Sequence, residues 1–105
     1  MQRLKLKSEN QTLTASLLCE IDHHTAGAIR EEIDGKILAG GVKVLVLDFS
    51  RVPFMDSSGI GLIMGRAARA GEIGAKVEVR GLMPKMKKIV ALSGISKLEN
   101  LVISD

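Results

Sequence analysis

Apolar and polar positions alternate from the first residues. Leu4 and Leu6 are flanked by Arg3, Lys5 and Lys7, a period of two that predicts a short strand. Glu9, Asn10 and Gln11 are turn residues, and from Thr12 the alternation resumes. Leu13, Ala15, Leu17, Cys19 and Ile21 face one way and Thr12, Thr14, Ser16 and Glu20 the other; Leu18 alone breaks the pattern. Two such runs around a turn predict an antiparallel hairpin.

After Asp22-His23-His24-Thr25 the period becomes helical. Ala26, Ile29, Ile33 and Ile37 share one face, Arg30, Glu31, Asp34 and Lys36 take the wet one, and Gly40-Gly41 ends the run. Lys43 to Ser50 holds four successive large apolar residues, Val44 to Leu47, and is expected to be a central strand covered on both faces. A second helix opens at Ser57–Ser58 and ends near Glu72. Ile60, Ile63, Met64, Ala67 and Ala68 form its apolar stripe, with Arg66 and Arg69 off it. Gly71 and Gly74 bound a turn, and Lys76 to Arg80 alternates as a strand around Val77 and Val79. Pro84 starts a third helix, with Met86, Ile89 and Val90 inward and Lys85, Lys87 and Lys88 outward. Gly94 stops that helix, and Leu98 to Ile103 is expected as a last strand.

The order β-β-α-β-α-β-α-β predicts an α/β fold in one domain, residues 1–105. Its mixed β-sheet has an opening antiparallel hairpin, and helices pack against it. With 105 residues at 46% hydrophobic content, the chain can bury a real core, and 2% aromatic content leaves aliphatic residues to fill it. A net charge of +3, dispersed among acidic residues, and only Phe49 and Phe54 as stacking platforms argue against direct nucleic-acid binding. The single Cys19 reads as a small core residue, with no disulfide or thiolate metal cluster open to it. A reducing compartment follows. The start lacks a hydrophobic signal core and no apolar run reaches membrane-spanning length, so a cytoplasmic chain without a membrane segment is expected.

Candidate chemistry centres on Phe54 to Gly61, Phe-Met-Asp-Ser-Ser-Gly-Ile-Gly, where a buried strand turns into a helix. Asp56, Ser57 and Ser58 are good caps for the free N–H groups of a first turn, and capping alone would account for them. A surface hydroxyl beside the positive end of a helix also suits a phosphorylation switch. A hydrolase would need His23 or His24 as base, and the G-x-S-x-G elbow is missing because Met55 holds the first glycine's place. Gly59, Gly61 and Gly65 resemble a dinucleotide loop, but Val79 and Arg80 stand where the ribose-binding acid belongs. Neither a catalytic residue set nor a metal site is expected.

Val-Pro-Phe-Met-Asp-Ser-Ser-Gly-Ile-Gly after an apolar strand resembles the signature of the STAS domain of anti-sigma factor antagonists. Glu20-Ile21-Asp22-His23-His24-Thr25-Ala26 resembles the corresponding loop of the sporulation members, the anti-sigma F factor antagonists, and Leu92-Ser93-Gly94-Ile95 their Ser-Gly-Leu turn. The resemblance covers nearly the whole chain. Cys19 departs from it, standing where glycine is usual; Ala28 and the helix after it match only in pattern, and the customary final helix is expected to be short or absent.

The resemblance implies a STAS-like fold and a binding protein rather than an enzyme, without cofactor and monomeric when free. It implies an anti-sigma factor serine kinase as partner, sigma factor release on binding, and inactivation by phosphorylation at Ser57, reversed by a serine phosphatase. Asp22, His24, Thr25, Asp56, Ser58, Gly59, Ile60, Gly61 and Met64 would then meet the partner. The alternative is a nucleotide-binding STAS regulatory or scaffold module of the kind attached to anion transporters.

Overall fold

Strand β1 (Leu4–Glu9) and strand β2 (Thr12–Leu17) pair antiparallel, from Leu4 opposite Leu17 to Glu9 opposite Thr12. Asn10 and Gln11 close the hairpin at φ 51° and 66°, the left-handed pair that a tight two-residue turn requires. The computed structural model describes residues 2–104. Helix α1 (His23–Leu38) leads to β3 (Val44–Asp48), α2 (Ser58–Glu72) to β4 (Lys76–Arg80), and α3 (Pro84–Ser93) to β5 (Leu101–Ile103). The sheet order is β1-β2-β3-β4-β5, parallel from β2 onward. The expected element order and the antiparallel edge are both found.

Each parallel step moves the same way across the sheet, so right-handed crossovers bring all three helices to one face. Ile29, Ile33 and Ile37 of α1, Leu62, Ile63, Ala67 and Ala70 of α2, and Met86 and Val90 of α3 join Leu13, Ala15, Leu17, Leu45, Leu47, Val77 and Val79 in one core. The reverse face carries Thr12, Thr14, Ser16, Val44, Val46, Asp48, Lys76, Glu78 and Arg80. Strand β3 is thus central but helix-covered on one side only, contrary to the two-sided cover its apolar run predicts. Val46 is still buried, because Thr14 and Glu78 flank it in register.

Other side chains depart from the pattern. The inward face of α2 is Gly59, Leu62, Ile63, Arg66, Ala67 and Ala70, so Met64 and Ala68 turn outward and Arg66 is inside. Ile89 is exposed, because α3 meets the core only along Met86 and Val90. A single 3-10 turn, Ile95–Lys97, follows Gly94 and delays the last strand to Leu101, so Leu98 is not part of it. Cys19 lies beyond the end of β2 and only half buried; partial burial pushes its thiol pKa up. Among the described residues no helix is long and apolar enough to cross a membrane.

Candidate functional site, a paired loop surface at one rim of the sheet

Strands β2 and β3 are parallel and adjacent, so the loops leaving their C-terminal ends emerge side by side. Past the strands the two chains touch again through an isolated parallel bridge, Ile21 opposite Met55. The Ile21 N–H donates to the Phe54 carbonyl at 3.0 Å, and the Asp56 N–H donates to the Ile21 carbonyl at 3.1 Å. Both bridge side chains are buried. This clasp fixes the start of α1 beside the start of α2.

On the α1 side, Asp22 is the cap. Its Oδ1 accepts from the His24 and Thr25 N–H groups at 2.8 and 3.0 Å. Thr25 Oγ1 accepts from the Asp22 N–H at 3.0 Å and donates to the Glu20 carbonyl at 2.7 Å. This reciprocal capping box is legible as D-x-x-T in the sequence. The Thr25 N–H bond holds the Asp22 carboxyl below its ordinary pKa; burial opposes it and the His24 N–H adds to it. The Thr25 hydroxyl is therefore taken up by the cap, and the residue is half-buried. His23 and His24 are exposed in the first helical turn, their rings edge to face at 5.7 Å.

On the α2 side, the capping is done by Asp56. Its Oδ1 accepts from the Ser58 N–H at 2.8 Å, and its carbonyl accepts from the Gly59 N–H at 3.0 Å. Ser57 sits at the boundary with helical φ −62° and ψ −16°, contributes no side-chain cap, and is exposed. Among the described residues its hydroxyl makes no hydrogen bond, so capping does not account for it. Ser58 and Ile60 are half-buried, while Gly61 and Met64 are exposed.

Gly59 differs from the other expected contact residues. It is buried, and a Cβ there would fall 2.2 Å from Met55 Sδ. It serves close packing of helix on loop rather than the outer surface. Phe54, 55% exposed two residues before Asp56, belongs to that surface and escaped the candidate set. An exposed aromatic beside a helix start was the available signal. Among the described residues no three His, Cys, Asp or Glu side chains gather as a metal site.

The STAS domain model matches residues 4–104. The chain belongs to the STAS domain family. This STAS domain is 32% identical, over 85 residues, to the anti-sigma F factor antagonist of Lysinibacillus sphaericus, an alignment covering 81% of this chain and 73% of that protein. It superposes on the anti-sigma factor antagonist SpoIIAA in its unphosphorylated form with a TM-score of 0.82 and 28% identity, covering 97% of this chain and 88% of the other. With the Bacillus cell fate determinant SpoIIAA in the phosphorylated form the TM-score is 0.75 and the identity 29%, covering 97% and 91%.

Proposed function

We propose that this STAS domain is an anti-sigma factor antagonist acting in sporulation control. It binds an anti-sigma factor serine kinase, frees the sigma factor, and is inactivated when the kinase phosphorylates Ser57. A serine phosphatase then restores it. The observation that carries this reading is the exposed Ser57 hydroxyl, excused from capping by Asp56 and held beside the Asp22 loop by the Ile21–Met55 clasp. Likeness to a relative solved in a phosphorylated form supports it.

Phosphate adds about −1.5 to −2 charges at Ser57. At the start of α2 that charge meets a positive helix end, so the free domain tolerates it. Beneath a docked partner the phosphate loses water and follows directly on the Asp56 carboxylate, at a cost of several kcal/mol. Every ~1.4 kcal/mol is a tenfold loss in affinity, so the partner is released by local electrostatics without refolding.

The test mixes the domain with the anti-sigma kinase of the same organism and ATP, then maps phosphate by mass spectrometry. Modification at Ser57 is expected, with Ser57→Ala still binding and Ser57→Asp not. Phosphate at another residue, or a Ser57→Asp variant that binds like the parent, would refute the switch.

A further inference from the structure

A groove of about 570 Å³ lies between α1 and α2 and begins at Ser58, next to the switch residue. Its lining is small where the helices approach: Ala26 on α1, and Gly61, Gly65 and Ala68 at successive turns of α2. A Cβ at Gly61 or Gly65 would meet nothing within 4 Å. Unlike Gly59, these glycines make room for no part of this chain; the space above them is open.

Charge in the groove is one-sided, with Arg30, Arg66 and Arg69 against Glu72. Arg66 is committed to Asp34 below. Arg69 meets Glu72 only through an exposed contact at 3.4 Å, and Arg30 forms no ion pair among the described residues. The guanidiniums also feel one another: after burial, which is the main effect, Arg30 and Arg69 further lower the proton affinity of Arg66, against the pull of Asp34. Like charges crowded at an open groove are relieved by carboxylates from outside.

We infer that this groove receives a helix of the anti-sigma partner, its small side chains seated over Gly61, Gly65 and Ala68 and its carboxylates paired with Arg30 and Arg69. A helix fits because the recess over Gly61, Gly65 and Ala68 repeats with each turn of α2 and can take the ridge of a second helix. The inference rests on the antagonist reading and adds the partner's chemistry. It also divides the labour of the surface: arginines attract and orient the partner, and the Ser57 end evicts it.

The test uses the full chain and the anti-sigma kinase of the same organism, with binding rates measured at low and high salt. Arg30 and Arg69 are both exposed, so Arg30→Glu and Arg69→Glu leave the fold intact, as thermal unfolding checks. Each reversal is expected to weaken binding about tenfold or more, mostly through slower association and with a flatter salt dependence. Arg30→Lys should stay close to the parent, and amides from Gly61 to Arg69 should exchange more slowly in the complex. Reversed variants that bind within about twofold of the parent, with groove amides unprotected, overturn the inference and leave the antagonist reading standing. A parent chain that forms no complex removes that reading itself, which is a different result.

Discussion

Arg66 is held against Asp34 across the seam between α2 and α1. Its Nε lies 2.8 Å from Oδ1, and its Nη2 donates to Oδ2 at 3.2 Å. The Arg66 side chain is 4% exposed and that of Asp34 20%. Removing the carboxylate strands a buried cation, so Asp34→Ala should cost about 3 kcal/mol in urea unfolding, the low end for breaking a buried pair because Asp34 retains some water. Replacing both, as Asp34→Leu with Arg66→Met, should cost far less. A double variant as unstable as Asp34→Ala would deny the pair this role.

Gly59→Ala should destabilise despite the better helix former. The methyl would collide with Met55 Sδ and Cγ, at 2.2 and 2.3 Å, so the buried Met55 side chain would have to shift within the core. Overpacking of this kind costs about 1–3 kcal/mol, against a helix-propensity gain of roughly 1. Adding Met55→Ala should recover part of the loss, read from the same denaturant midpoints.

Asp22 predicts a pH dependence of defined sign. Its carboxyl pKa is depressed in the folded state, so the cap stabilises above the ordinary value of 3.8 and is lost as pH falls through the lower folded value. Exchange protection of the His24 and Thr25 amides should hold from pH 7 down to about that point and then fall. Asp22→Asn should keep most of the protection without the pH step. Protection lost equally in Asp22→Asn as pH falls would deny the Asp22 carboxylate this role.

Ser57→Asp should separate binding from folding. A negative charge at the start of α2 is worth roughly 0.3–1 kcal/mol of stabilisation, so the variant should unfold no earlier than its parent while losing the partner. Loss of binding together with a lower melting temperature would mean that the substitution acts by damage.

The element order, the hairpin and the Ile29, Ile33, Ile37 stripe were legible because each follows from spacing alone. Arg66 was not: placed off the stripe, a cation reads as wet until a carboxylate 32 residues earlier is known to face it. Strand β3 misled for a related reason, since Val46 is covered by its in-register neighbours Thr14 and Glu78 rather than by a second helix layer. Ser57 was legible as a candidate, but whether it capped depended on the Asp56 carboxylate taking the Ser58 N–H, a choice between adjacent residues that composition does not make. The groove escaped for want of pairing information: Arg30 and Arg69 look like ordinary surface charges until α1 and α2 lie together.

The Ile21–Met55 clasp is made of main-chain atoms. Its spacing therefore does not depend on which side chains occupy the outer positions of the two loops. Substitutions at the exposed Phe54, His23 or His24 can therefore change the outer face of the two loops while the gap between the two helix mouths stays constant. The clasp thus separates a fixed frame from an outer face that is open to change.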